Sequence, residues 1–125
     1  MRILAVDDDE DYLDLLCFHF ERAGIDVTPC TSGPSALRLL EDEPFDVVMV
    51  DLRMPVMDGR ALARHIRKRA RHADLPIVMM TQMANVPFIA AASPGDTNHF
   101  VNKGGEPAWI IHLVSHLSGR RLLQG

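Results

Sequence analysis

The sequence lacks the features that mark a membrane-spanning or exported protein. None of its apolar runs approaches the roughly 20 residues that a membrane-spanning helix needs. No basic segment followed by an apolar signal core stands at the N-terminus. Only two cysteines occur, Cys17 and Cys30, and their spacing fits neither a metal site nor a redox motif. We therefore expect a cytoplasmic protein that does not bind membranes and whose two thiols are buried and unpaired.

Positive charge is also scarce: 13 Lys and Arg residues stand against 17 Asp and Glu residues, for a net charge of −4. This balance argues against direct nucleic-acid binding by the domain. The basic run at 64–72 is interpreted as a solvated helix face, with nucleic-acid binding as the less favoured alternative. His112 and His116 have the spacing of a zinc pair, but no third ligand accompanies them in the sequence.

What the sequence does contain is a regular alternation of strand and helix patterns in 125 residues, the size of one domain. Short apolar runs predict strands at 2–6, 25–29, 46–50, 75–80 and 99–102. Helical periodicity and capping residues predict helices at 9–23, 33–40, 59–66, 85–92 and 106–117. The alternation predicts an α/β fold, with one doubly wound five-stranded parallel sheet and helices on both faces. Residues 1–118 are expected to form the domain, and 119–125 a C-terminal tail or linker stub.

Polar side chains stand where four of the predicted strands end. Asp7 and Asp8 follow the first strand, Asp51 the third, Thr81 the fourth and Lys103 the fifth. In open parallel sheets the carboxyl ends of the strands form one edge, and ligands bind there. We therefore expect these five residues to form a single site.

The chemistry of such a cluster is limited by its negative charge. Carboxylates packed together raise one another's pKa unless a cation is bound, and Mg²⁺ prefers one or two protein carboxylates together with phosphate oxygens. A carboxylate can also act as a nucleophile and form an aspartyl-phosphate. Lys103 could offset the charge of an incoming phosphoryl group, and the Thr81 hydroxyl could donate to one of its oxygens. The cluster therefore predicts a site for a hard cation and a phosphoryl group.

At this point the sequence resembles the response-regulator receiver family of two-component signalling, which includes the chemotaxis response proteins. The resemblance covers essentially the whole chain, and the motif that begins at Asp51 is highly specific. It implies the flavodoxin-like strand order 2-1-3-4-5. The matching segments are Val6-Asp7-Asp8-Asp9, Asp51-Leu52-Arg53-Met54-Pro55-Val56-Met57-Asp58-Gly59, Thr81 and Lys103.

The resemblance also implies a role for each matching residue. It makes Asp51 the phosphoacceptor, with Thr81 and Lys103 in contact with the phosphoryl group. It implies a histidine kinase or histidine phosphotransfer protein as phosphodonor and an unidentified downstream protein or effector domain as the partner that receives the signal. The implied Mg²⁺ ligands are Asp7, Asp8, Asp51 and the backbone carbonyl of Arg53.

Several positions depart from the family pattern. Gln82 replaces a small residue after Thr81, and Gly104 replaces the proline that usually follows the lysine. Thr81 and Phe100 occupy the two switch positions, and Phe100 lacks the hydroxyl of the tyrosine often found there. Because burying Phe100 desolvates no phenol, we expect its side chain to lie substantially inward even without phosphorylation. Proline at 87 and 94 is expected to shorten or loosen the helix predicted at 85–92.

Three functions remain open at this stage. The favoured one is a phosphorylatable switch, which catalyses its own phosphotransfer but is a signalling protein rather than an enzyme. The alternative is a pseudo-receiver that acts as an interaction module independent of phosphorylation. A flavodoxin-like cofactor protein or an Asp-dependent phosphatase is disfavoured, because Asp7-Asp8-Asp9 would repel an FMN phosphate and neither acidic cluster forms a properly flanked Asp-x-Asp motif.

Overall fold

The computed structural model describes residues 1–81 and 99–124, with the side chains of residues 70 and 120–124 excepted. The five strands are β1 (Arg2–Val6), β2 (Asp26–Cys30), β3 (Val47–Asp51), β4 (Ile77–Thr81) and β5 (His99–Asn102). The α-helices within these ranges are α1 (Glu10–Arg22), α2 (Gly33–Asp42), α3 (Gly59–Arg67) and α4 (Pro107–Gln124), and a short 3₁₀ helix spans Ala70–His72.

The strands form one parallel sheet in the order β2-β1-β3-β4-β5, which confirms the predicted fold and strand order. Neighbouring residues of each strand face opposite sides of the sheet, so each strand contributes to two apolar layers. Leu4, Val48 and Ile77 pack with α2 and α3 on one face. Ile3 and Val47 pack with α1 and α4 on the other face.

Short polar residues start three of the helices, as capping chemistry predicts. The side chains of Asp9, Ser32 and Asp58 accept hydrogen bonds from backbone N–H groups in the first turns of α1, α2 and α3. Gly24 ends α1 with a φ of 79°, the left-handed conformation that glycine adopts without steric strain. Because these capping signals lie at the helix starts themselves, the predicted starts of the three helices agree with the structure to within one residue.

The predicted bounds of three strands were wrong by one or two residues, and the predicted end of the final helix was wrong by more. β2 and β3 each begin and end one residue later than predicted, and β4 spans Ile77–Thr81 instead of 75–80. The helix predicted to end at 117 continues to Gln124, so Gly119 lies inside α4. The helix predicted at 85–92 and the proline effects at 87 and 94 lie outside the described residues. The division of the chain at residue 118 stays a prediction.

The basic run at 64–72 begins in the last turn of α3, and some of its side chains bind other parts of the chain. An Arg67 Nη donates to the carbonyl of His72, and an Arg71 Nη lies 3.3 Å from the Leu40 carbonyl oxygen. His72 is buried, and its Nε2 lies 3.1 Å from the same Leu40 carbonyl. Arg64, His65 and Lys68 are exposed, as a solvated face predicts, whereas Arg67 and His72 also bind the chain itself.

The two cysteine thiols are unpaired, and they differ in burial. Neither Cys17 nor Cys30 is in a disulfide, although only Cys30 is fully buried. Within the described residues, no helix combines the length and apolarity that a membrane crossing requires.

Candidate functional site

Three carboxylates meet at the carboxyl edge of the sheet. Asp7, Asp8 and Asp51 each place one carboxylate oxygen within 4.8 Å of the others. Asp7 is completely buried and Asp51 is 8% exposed, whereas Asp8 faces solvent. The sheet therefore holds two acidic groups in a low-dielectric setting and one at the opening.

The backbone around Asp7 fixes the first carboxylate. Its N–H donates to the Cys30 carbonyl at 3.0 Å, which ties the end of β1 to the end of β2. The N–H of Asp9 donates to Asp7 Oδ1 at 2.9 Å, while Asp9 itself caps α1. Asp7 Oδ2 remains for the site, and it is buried with no well-oriented hydrogen bond among the described residues.

Asp51 is the last residue of β3, and the following loop returns against it. Leu52 N–H donates to the Met80 carbonyl at 2.9 Å, and Gly59 N–H donates to the Leu52 carbonyl at 3.0 Å. The backbone N–H of Arg53 donates to the Asp51 carboxylate, and this contact lowers the pKa of that group. At the tip of the loop, fully exposed Val56 has a φ of 70°, a strained value for a β-branched residue.

Lys103 brings a cation to the two buried carboxylates. Its Nζ lies 2.7 Å from Asp7 Oδ2 and 3.9 Å from Asp51 Oδ2, and its side chain is only 9% exposed. The Lys103 backbone N–H donates to the Thr81 carbonyl at 2.9 Å, which joins β5 to β4 next to the site. Thr81 is itself buried. The structure thus brings together the five residues that the sequence placed at one edge.

Burial and crowding of negative charge make Asp51 a weak acid. Desolvation and the nearby Asp7 carboxylate raise the pKa of Asp51 from its ordinary 3.8 to about 7, although the Lys103 ammonium opposes the change. These surroundings therefore disfavour the charged form of Asp51, and a cation bound beside it would favour that form.

Tyr12 belongs to this site, and sequence reasoning missed it. The residue lies in the first turn of α1, and Lys103 Nζ lies 4.6 Å from the centroid of its ring. Burial, together with the Asp7 and Asp51 carboxylates, raises the pKa of the Tyr12 phenol to about 12. The available signal was its position: a helix that starts just after Asp7-Asp8 keeps its first turn beside the acidic cluster.

Phe100, the second switch position, is partly exposed. Val101 faces the core, so its neighbour Phe100 faces the other side of the sheet, and on this edge strand it is 36% exposed. It lines a cleft of about 390 Å³ with Trp109 and Ile110 of α4. At this exposure Phe100 is neither fully inward nor fully exposed, so its expected inward position without phosphorylation stays a prediction.

Two other departures from the family pattern have different outcomes. Gln82 lies outside the described residues. Gly104 is exposed, and its N–H donates to Asn102 Oδ1 at 2.9 Å in the turn after β5. The turn therefore closes without the proline that the family usually has.

The donor set fits a hard divalent cation. All three side chains offer carboxylate oxygens, the ligands that Mg²⁺ prefers, and Asp8 leaves the opening accessible to water. The buried Asp7 Oδ2 has an ion-pair contact but no well-oriented hydrogen bond, so part of its capacity as an acceptor is unused. His112 and His116 do not join any metal-ligand cluster among the described residues.

Comparison with known proteins agrees with this geometry. The protein is 37% identical over 114 residues to an uncharacterized 14.6 kDa protein in the sodA1 3′ region of Leptolyngbya boryana, covering 91% of this chain and 87% of that one. It is 41% identical over 85 residues to the response regulator receiver protein CpdR of Brucella abortus, covering 68% and 69%. Other curated relatives are longer, and the chain spans 35% of the transcriptional regulator RpaA of Synechocystis and 22% of GlrR of Escherichia coli.

Solved structures give the same result. The receiver domain of NtrX from Brucella abortus superposes with a TM-score of 0.85 at 26% identity, covering 94% of this chain and 98% of that one. A Francisella response regulator receiver domain superposes with a TM-score of 0.85 at 25% identity, covering 96% and 98%. Residues 3–115 match the response regulator receiver domain as a family. With its 2-1-3-4-5 sheet and acidic edge, the chain belongs to the receiver domains of two-component response regulators.

Proposed function

We propose that this protein is a phosphorylatable switch that accepts a phosphoryl group on Asp51 and thereby changes a protein-interaction surface. A histidine kinase or a histidine phosphotransfer protein supplies the group, and a downstream protein or effector domain receives the signal. One observation carries the proposal: Asp51 lies at the edge of the sheet with Lys103 Nζ 3.9 Å from its carboxylate and two further carboxylates beside it.

The arrangement suits nucleophilic attack by Asp51. One carboxylate oxygen attacks the phosphorus of phosphohistidine, the P–N bond breaks, and its electron pair remains on the histidine nitrogen. Charge develops on the phosphoryl oxygens during transfer, and Lys103 is placed to offset it. Thr81, buried at the end of β4, is the candidate hydroxyl donor to one of those oxygens.

The acidic pocket requires a second positive charge for this reaction. Mg²⁺ supplies charge neutralisation and orients the phosphodonor when it is bound. Asp7, Asp8 and Asp51 would hold the ion together with the backbone carbonyl of Arg53. Competition between the ion and Lys103 for Asp7 Oδ2 would leave the ammonium available to the phosphoryl group.

The surface beside the site offers a place for a partner. Phe100 is 36% exposed and Trp109 is 62% exposed, and both line the cleft between β5 and α4. Exposed aromatic side chains are frequent anchors of protein interfaces. Because Lys103 is bonded through its backbone to Thr81, a change at the phosphoryl site can reach this strand.

The test of this function is phosphorylation by acetyl phosphate in the presence of Mg²⁺. We expect a mass increase of one phosphoryl group in the parent protein and none in Asp51→Asn. Asp74→Asn is the matched control, because Asp74 is an exposed turn residue far from the acidic edge, and it should behave as the parent does. A parent protein that gains no phosphoryl group would favour the pseudo-receiver alternative instead.

Loss of one proposed ligand should weaken metal binding. Asp8→Ala removes an oxygen donor and a negative charge, so Mg²⁺ affinity should fall on the order of tenfold or more in a calorimetric titration. Asp11→Ala removes an exposed carboxylate three residues further along the chain and should leave the affinity close to that of the parent. Equal affinities for the parent protein and Asp8→Ala would show that Asp8 is not a ligand.

A further inference from the structure

Tyr12 contributes an aromatic ring to the site, and this ring contacts the Lys103 ammonium. Its ring lies 4.6 Å from Lys103 Nζ, within the range of a cation–π interaction. The same ammonium lies 2.7 Å from Asp7 Oδ2, and the lysine side chain is 9% exposed. The cation is therefore enclosed by a carboxylate and by the face of an aromatic ring.

We infer that Tyr12 is a positioning residue for phosphotransfer, and that its ring holds the Lys103 ammonium beside Asp51. The inference rests on the proposed function, because it assigns Lys103 a role in that reaction. It concerns the ring rather than the hydroxyl, and it adds to the site a residue from the first turn of α1.

The need for such a residue follows from what happens to the other contacts of Lys103. Among the described residues, the two acidic partners of its ammonium are Asp7 and Asp51. In the proposed reaction both carboxylates take other roles: Asp7 binds the metal ion, and Asp51 accepts the phosphoryl group. Lysine has a long flexible side chain, and holding it in one place costs rotamer entropy. The ring of Tyr12 is a contact that neither the metal nor the phosphoryl group replaces.

The hydroxyl of Tyr12 plays no comparable part. It is buried and has no hydrogen-bond partner among the described residues. Replacing Tyr12 by Phe therefore keeps the aromatic face and removes a polar atom that makes no bond there. Replacing it by Leu keeps an apolar side chain in the same place and removes the aromatic face.

The experiment compares initial rates of phosphorylation by acetyl phosphate, which needs no kinase docking. Tyr12→Leu should react about 5- to 10-fold more slowly than the parent protein. Tyr12→Phe should react at a rate within about twofold of the parent rate. Phe18→Leu is the matched control, because Phe18 is an exposed aromatic of the same helix and lies outside the site. Adding Tyr12→Leu to Lys103→Met should slow the reaction no further, because the two residues act through one contact.

Three results would overturn the inference. These are a parent-like rate for Tyr12→Leu, an equally slow Tyr12→Phe, and additive effects of Tyr12→Leu and Lys103→Met. If Tyr12→Leu does not fold, Tyr12→Met provides the same comparison with a more flexible apolar side chain.

A second readout separates this inference from the proposed function. The ring should shift the ε-methylene proton resonances of Lys103 upfield in the parent protein and in Tyr12→Phe, but not in Tyr12→Leu. This shift is measured without any phosphodonor. If it is present and the parent protein is not phosphorylated, the proposed function fails. If phosphorylation proceeds and the shift is absent, only the role of Tyr12 fails.

Discussion

In the absence of divalent cations, Asp51→Asn is expected to unfold at a higher temperature than the parent protein at pH 8, and at nearly the same temperature close to pH 4. Burial and the Asp7 carboxylate raise the pKa of Asp51 to about 7 in the folded protein, against an ordinary value of 3.8. Asparagine has a similar shape, carries no charge and does not titrate in this range. The difference between the two proteins therefore reports the cost of ionising Asp51 in its folded environment.

The direction of the pH effect follows from proton binding. Between pH 4 and pH 7 the folded parent protein retains a proton on Asp51 that the unfolded chain has already released. Its free energy of unfolding must then fall as the pH rises through this interval, and it stays low above it. Each pKa unit corresponds to about 1.4 kcal/mol, so the variant should be more stable at pH 8 by on the order of 2–4 kcal/mol.

Thermal or urea unfolding in EDTA across pH 4 to 8 measures this difference. Asp74→Asn removes an exposed carboxylate and should follow the curve of the parent protein. Saturating Mg²⁺ should narrow the gap at pH 8, because Asp51→Asn lacks one of the ligands that we propose for the ion in the folded protein. Parallel curves for the parent protein and Asp51→Asn over the whole range would show that Asp51 is not destabilised by its surroundings.

The sheet and its order could be predicted because their signals are local or come from the family resemblance. Buried parallel strands appear in the sequence as short apolar runs. Three helix starts are marked by N-cap residues, which are Asp9, Ser32 and Asp58. The end of α4 could not be found in this way. Glycine stops a helix when it adopts a positive φ, as Gly24 does, but Gly119 lies within α4 and has no such φ. Its identity alone does not reveal which conformation it takes.

The sequence predicted that five of the site residues lie together, but it predicted neither their contacts nor the presence of Tyr12 among them. Strand ends share an edge whatever the side chains do, so Asp7, Asp51 and Lys103 had to come together. That the ammonium lies nearer to Asp7 than to Asp51 depends on the lysine rotamer and on the relative depth of the two carboxylates. The place of Tyr12 depends on how α1 packs against the sheet. Such long-range packing leaves no periodic pattern in the sequence.

Gly59→Ala is expected to lower the free energy of unfolding and to slow phosphorylation, because a backbone atom already fills the space that the added methyl group needs. A Cβ at this position would overlap the carbonyl oxygen of Asp51 and lie 2.7 Å from Met79 Sδ and 3.0 Å from Leu52 Cα. The methionine side chain can move, but the carbonyl belongs to the last residue of β3. Overpacking of this kind costs about 1–3 kcal/mol.

The effect on phosphorylation follows from where the overlap lies. The Gly59 N–H donates to the Leu52 carbonyl, so the start of α3 is bonded to the chain immediately after Asp51. Moving the Asp51 carbonyl to admit a methyl group shifts the carboxylate relative to Lys103, and small displacements of reacting groups reduce rates strongly. The acetyl phosphate rate should therefore fall even at a temperature where Gly59→Ala is fully folded.

Gly104→Ala is the matched control, since its added Cβ would come no closer than 3.5 Å to Asn102 Oδ1 and its φ is not in the left-handed region. A methyl group there also restricts the unfolded chain, so its stability should equal or slightly exceed that of the parent protein. Urea unfolding gives the stabilities, and intact mass during reaction with acetyl phosphate gives the rates. Equal losses of stability and rate in the two variants would mean that glycine is needed at both turns for a reason other than contact with the Asp51 backbone. A loss confined to Gly59→Ala assigns the requirement to the contact with the Asp51 backbone, and parent-like behaviour of Gly59→Ala would show that the loop can move away without disturbing the acidic edge.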